Sequence, residues 1–247
     1  MTDLHMHTVF CDGVNTPEEM VLSAIDKGLS AVGICTHAYL PFDKEFCIQR
    51  ENYSVFQNEV AGLKEKYRDR IEVLCGIEQD ILCTENTEGF DYVIGAVHCL
   101  DCGGDIIPVD NTPELLAEGC RRQFGGDYIA LCEASYESVA RIYELTSCDS
   151  IAHFDLVTKF NEGGRLFDES DPRYIAASRR AADELLKCGR PFEINTGAMS
   201  RGYRTSPYPA KPIMDYIRSR GGRFVLASDA HHKENIAYRF ECYEALL

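Results

Sequence analysis

The chain has 247 residues, 40 acidic against 25 basic, for a formal charge of −15. A surface of that sign repels phosphate backbones at long range, which argues against extended nucleic-acid binding; a small phosphorylated substrate stays possible where bound cations reverse the field locally. No stretch reaches the ~18–20 apolar residues of a membrane span, and Asp3, His5 and His7 interrupt any basic-then-apolar leader, so a cytoplasmic protein with no membrane partner is expected.

The first strand is expected over 1–6, where Thr2-Asp3-Leu4-His5-Met6-His7 places two imidazoles at i and i+2. Residues two apart in an extended strand point the same way, so His5 and His7 can grip one ion. Asp3 shares that face and is either a support for an imidazole or a surface carboxylate. Asp12 follows in Cys11-Asp12-Gly13. Thr16-Pro17-Glu18-Glu19 then opens a helix with a cap, a first-turn proline and early acids, and Gly28 closes it.

The second strand, 31–36, ends at His37, and an amphipathic helix is expected over 55–70. The third, 72–78, ends at Glu78, and the fourth, 92–98, closes on His98. Thr112-Pro113-Glu114 begins helical structure to about residue 145, with a break at Gly125-Gly126. A strand at 150–153 ends at His153, and Asp171-Pro172 opens a helix that Gly189 stops. Strands at 192–195 and 224–228 follow, the latter running into Asp229-Ala230-His231-His232, with further helices expected over 209–220 and 233–246.

Alternation of strand and helix implies a mostly parallel sheet with covering helices. An apolar run ending in a ligand-type side chain recurs six times, always at the carboxyl end of its strand. An open sheet would gather ligands from two or three strands at one switch point, whereas a closed ring collects them from nearly all. The expectation is one domain over 1–247, a seven-stranded α/β barrel with its site at the C-terminal mouth. Of the twelve cysteines, Cys35, Cys75, Cys99 and Cys132 sit within or beside apolar runs, where a free thiol behaves as a small hydrophobe, and a reducing compartment is expected. Cys99 and Cys102 form a single C-x-x-C with no second half-site.

Nine candidates, His5, His7, Asp12, His37, Glu78, His98, His153, Asp229 and His231, are too many for one ion at four to six coordination. They suit two or three divalent transition-metal ions (zinc, iron or manganese), provided a carboxylate bridges. Adjacent ions acidify a bridging water and clamp the oxygens of a phosphoryl centre, so phosphoester hydrolysis by a bridging hydroxide is expected. Amide or nucleobase hydrolysis uses similar ligands. Arg201, in the loop after 192–195, is a candidate phosphate clamp, and Lys159 and Arg165 follow another strand end. Phe192 and Tyr203 are candidates for an apolar part of the substrate, and His232 is the histidine left over.

Asp3-Leu4-His5-Met6-His7, Thr36-His37, Gly76-Ile77-Glu78, Val97-His98, Ala152-His153 and Ser228-Asp229-Ala230-His231 resemble, in order, the motifs of the PHP (polymerase and histidinol phosphatase) superfamily. His37-Ala38-Tyr39-Leu40-Pro41, Leu63-Lys64-Glu65-Lys66-Tyr67, the run from Ala152 through Asn161, and Glu193-Ile194-Asn195-Thr196-Gly197 resemble its monofunctional histidinol-phosphatase branch. The resemblance implies a distorted barrel of (β/α)7, TIM-like type, with a trinuclear site. His5, His7, Glu78 and Asp229 would hold the first metal. Glu78 would bridge to a second held by His98 and His153, and Asp12, His37 and His231 would hold the third. That branch often has His where this chain has Asp12, which follows the general superfamily pattern. The implied activity is hydrolysis of L-histidinol phosphate to L-histidinol and phosphate in histidine biosynthesis, with Glu78, Asp229 and Arg201 as the catalytic group. The same-fold alternative is a phosphatase or phosphodiesterase for nucleotides or another small phosphoester. The remaining one is a metal-storage or regulatory protein.

Overall fold

The computed structural model describes residues 1–247. Seven parallel strands follow one another in the order β1 (Thr2–Asp3), β2 (Ala31–Ile34), β3 (Glu72–Asp80), β4 (Tyr92–Ala96), β7 (Ser150–Ile151), β8 (Phe192–Asn195) and β9 (Phe224–Ala227). The ring closes where the chain beyond β1 meets the chain beyond β9: Met6 bridges Ala230 in parallel, and His7 N donates to Ala230 O at 2.8 Å. Ser228 N and Ala237 N both donate to the carboxylate of Asp3, which is fully buried. Asp3 therefore ties the closing seam, and neither role expected for it, imidazole support or surface carboxylate, is what it does.

A small antiparallel hairpin, β5 (Cys99–Asp101) with β6 (Ile106–Pro108), projects from the end of β4 and was not expected. Its turn carries Gly103 and Gly104 at positive φ, the backbone that a tight hairpin requires. All twelve cysteines are free thiols, and Cys99 and Cys102 belong to this hairpin and its turn.

Four helices begin at a side-chain cap. Thr16 accepts from Glu19 N while the Glu19 carboxylate takes Thr16 N, a reciprocal capping box before α1 (Pro17–Asp26). Next come α2 (Tyr53–Tyr67) and α3 (Pro113–Phe124); Gly125 in the left-handed region ends α3 and Asp127 caps α4 (Tyr128–Val139), so the expected break is present. The short α5 (Ile142–Thr146) precedes β7, and α6 (Pro172–Leu186) lays Tyr174, Ala177, Ala181 and Leu185 on the core. After β8 come α7 (Gly197–Ser200) and α8 (Lys211–Ser219). The helix expected over 233–246 is instead three 3-10 turns. Ala237 and Arg239 take positive φ, and Lys27 Nζ captures the carbonyls of Glu234 and Ile236, so the backbone groups a helix would pair are already used. No helix is long and apolar enough to cross a membrane.

Tyr92 enters the barrel against Gly33 and Gly76: a Cβ on either would fall 2.1 Å from the Tyr92 ring or hydroxyl. Side chains fill the lower barrel in this way. The upper end, past the last residues of the strands, is left to polar groups.

Candidate metal centre

Seven of the nine expected ligands stand at or just beyond the ends of β2, β3, β4, β7 and β9 or in the segment after β1; Asp12 and His231 come from the loops beyond. Every one of the nine has a ligand atom within 4 Å of another of the nine. Glu78, 1% exposed, lies at the middle. Its Oε1 is 2.9 Å from His153 Nε2 and 3.3 Å from His98 Nε2. Its Oε2 is 2.9 Å from His37 Nδ1, 3.2 Å from His5 Nε2 and 3.4 Å from His7 Nε2.

Asp229 Oδ1 faces His7 Nε2 at 3.4 Å, His231 Nδ1 at 3.6 Å and His5 Nε2 at 3.7 Å. Its backbone is left-handed, φ +48°, and its carboxylate packs on Gly197, where any Cβ would come within 2.7 Å of Asp229 Oδ2. Asp12 joins His231 Nε2 at 3.0 Å and His37 Nε2 at 3.5 Å. His37 thus faces Glu78 through one ring nitrogen and Asp12 through the other.

The donor set passes a chemical test for cations. Glu78 Oε2 and Asp12 Oδ1 are buried without a hydrogen-bond partner, although imidazole nitrogens surround both. The nitrogens lie close but are not aligned to donate. His5 Nε2 and His7 Nε2 are 3.1 Å apart, close to the separation of two imidazoles sharing one ion at ~2.0–2.1 Å each. Groups of His7, Asp12, His37 and His231, and of His37, Glu78 and His98, bring their ligand atoms within 4.8 Å of one another. Mixed imidazole and carboxylate suits zinc, iron or manganese.

The electrostatics agree. Burial opposes the charge on Glu78, yet His5, His37, His98 and His153 hold its carboxyl well below the ordinary range. Burial likewise works against protonated His5, but Glu193, Glu78 and Asp229 together raise it well above the usual imidazole value. Cys35 also sits by His5 and His7; burial pushes its thiol up to about 12 and Sγ donates to the Met6 carbonyl, so it stays a packed thiol.

Sequence reasoning overlooked two supporting carboxylates. Glu193, on β8, places Oε1 2.8 Å from His5 Nδ1. Asp80 accepts from His98 N at 2.6 Å and lies 3.4 Å from His98 Nδ1. Asp80 stands two residues beyond Glu78 on β3, which was the available signal; an acid inside the apolar run Phe192–Asn195 was the signal for Glu193.

The cluster floors a pocket of about 1010 Å³, counted with its solvent-open mouth. Leu40, Phe46 and Tyr203 give it apolar walls, and its cationic side chains are Lys159 and Arg201. Lys159 Nζ is held by Asp110, at 2.6 Å from its carbonyl and 3.3 Å from its carboxylate. Arg201 reaches Asp229 Oδ2 at 3.1 Å and His231 Nδ1 at 3.4 Å. Arg165 is exposed in the turn after residue 161 and does not line the pocket. Phe192 is fully buried in the core, and His232 is an exposed cap that accepts from Glu234 N.

The sequence profile of the PHP domain matches residues 3–197. A Deinococcus radiodurans protein bearing the name "Probable histidinol-phosphatase" is 32% identical over 97% of this chain and 90% of its own. Among solved structures, a Listeria monocytogenes protein shares the fold with TM-score 0.86 at 22% identity, covering 98% of this chain and all of its own. The histidinol phosphate phosphatase of Lactococcus lactis, solved with zinc, L-histidinol and phosphate, gives TM-score 0.70 at 20% identity over 99% of this chain and 91% of its own.

Proposed function

Since the chain belongs to the PHP domain family, we propose that it is a metal-dependent phosphatase that hydrolyses a small phosphate monoester, L-histidinol phosphate above others. The observation that carries the reading is Glu78: its two oxygens divide between two sets of imidazoles, and one of them is buried with no hydrogen-bond partner. His5, His7, Glu78 and Asp229 would hold one ion, Glu78 with His98 and His153 a second, and Asp12, His37 and His231 a third. When bound, such ions supply Lewis-acid charge at a phosphoryl oxygen and acidify water towards neutral pH.

The chain's own groups do the rest. Arg201 presents a planar cation beside the cluster and would meet a phosphate oxygen as a two-pronged donor. Lys159 is anchored by Asp110, so its charge serves the wall of the pocket more than its floor. Five of the nine ligand side chains are buried and the other four half-buried, which limits the screening of charge at the reacting centre by bulk water. Leu40, Phe46 and Tyr203 offer an apolar face to the leaving alcohol. The relatives support the choice of alcohol, because the Lactococcus lactis enzyme holds L-histidinol and phosphate together with zinc.

Phosphate release by metal-replete protein from L-histidinol phosphate, nucleoside monophosphates, sugar phosphates and a phosphodiester tests the proposal. Histidinol phosphate should lead in kcat/KM by roughly 10²-fold or more, the discrimination available to a few specific contacts. A higher value on nucleotides or on the diester would reassign the substrate.

A further inference from the structure

Glu193 lies behind the metal centre, 2% exposed, and does not line the pocket. It touches no Lys or Arg. One oxygen, Oε1, is 2.8 Å from His5 Nδ1. The other, Oε2, accepts from Asn195 Nδ2 at 3.0 Å and from His153 N at 3.4 Å. Asn195 is itself fully buried, and its Oδ1 takes Gly197 N at 2.9 Å, so the amide cannot turn without losing a bond. The carboxylate is thereby locked with one oxygen facing the His5 ring.

We infer that Glu193 is a positioning residue that selects the tautomer of His5 and so dedicates Nε2 to the metal. The inference rests on the reading of His5 as a ligand. A neutral imidazole carries one proton, and a carboxylate can only accept; the nitrogen facing Glu193 must therefore be the N–H. The lone pair is left on Nε2, which points to His7 Nε2 at 3.1 Å and Glu78 Oε2 at 3.2 Å. A carboxylate behind a ligating imidazole also raises its basicity and fixes its ring plane. The same side chain reaches the backbone of His153, so one acid on β8 registers ligands from β1 and β7 against each other.

Glu193→Gln keeps the shape and removes the property. With its oxygen towards His5, the amide N–H₂ meets two donors, Asn195 Nδ2 and His153 N. Turned round, it donates to Nδ1 and drives the proton to Nε2, the nitrogen the ion needs.

The test is ¹⁵N NMR of the His5 ring together with zinc affinity measured by chelator competition. In the zinc-loaded parent, Nδ1 should carry the proton and Nε2 should show the metal-bound shift. In metal-free Glu193→Gln at alkaline pH, where imidazole is neutral, the Nε2–H tautomer should become populated. Its tightest zinc site should weaken by roughly 10–100-fold, the usual cost of losing such a support. Zinc on Nδ1 in the parent would overturn the inference, as would an unchanged tautomer and affinity in the variant. The parent measurement decides even if the variant does not fold. No zinc-induced shift anywhere on the His5 ring at saturation would instead sink the metal-centre reading on which the inference stands.

Discussion

Arg201 Nη2 donates to Asp229 Oδ2 at 3.1 Å, joining the loop after β8 to the carboxylate after β9. The same guanidinium reaches Gly197 O through Nε, so its plane is fixed on two sides. A cation held beside metal ligands repels metal ions, which a protein retains only where the charge has another use. We propose phosphate recognition as that use. Arg201→Ala should lose roughly 10²–10³-fold in kcat/KM, about 3–4 kcal/mol, as for removal of one preorganised donor. Metal content by elemental analysis should be undiminished. Unchanged kinetics in the fully metallated variant would shift the role to Lys159.

Glu78 faces both sets of imidazoles, so one substitution should damage two sites together. Glu78→Gln should lower metal content by more than one ion per chain and turnover by at least ~10²-fold. Full metal content with near-parental turnover would show that the bridging residue has been misassigned.

The sequence made the convergence of the nine side chains legible because strand ends on a parallel barrel meet whatever the intervening loops do. His98 and His153 lie 55 positions apart and still meet, since β4 and β7 are neighbours in the ring. What stayed hidden depended on tertiary pairing. Glu193 and Asp80 are ordinary acids until the strand register sets each beside its histidine. The broken run of 3-10 turns at 233–246 follows from capture of its backbone groups by Lys27 and Asp3, residues more than 200 positions away. The β5–β6 hairpin was legible in Gly103-Gly104 flanked by Leu100 and Ile106, a signal overlooked beside the nearby cysteine spacing.

Metal binding should release protons. Burial opposes charge on His98, but Glu78 and Asp80 outweigh it and raise that imidazole well above its ordinary value, as Glu193, Glu78 and Asp229 do for His5. A raised value means the metal-free protein carries these protons at neutral pH, and ligation requires the lone pairs they occupy. Affinity should therefore fall as pH falls. Calorimetric zinc titrations at pH 7 in buffers of different ionisation heat should give more than one proton released per chain. A heat independent of buffer would contradict this charge state.

Asp155 supplies a stability prediction. Its Oδ2 accepts from Ala210 N at 2.8 Å while Oδ1 is buried without a partner, and burial pushes the carboxyl up to about 7. The folded state then holds the proton more tightly than the unfolded chain, so this residue's contribution falls as pH rises from about 4 to 7. Asp155→Asn removes the charge and keeps an acceptor. In chelator-treated protein its advantage in denaturant unfolding should be small near pH 4 and grow to at most roughly 4 kcal/mol by pH 8. A constant difference across that range would place the proton elsewhere.

We claim that the converging histidines and carboxylates form the metal centre of a phosphomonoesterase, and reconstitution is the decisive experiment. Protein stripped by chelator is titrated with zinc, iron(II) or manganese(II) while phosphate release from L-histidinol phosphate is followed. Activity should be absent from the stripped protein and return in step with the binding of two to three ions per chain. Full activity in the stripped protein, or none at any loading of any of the three metals, would contradict the claim.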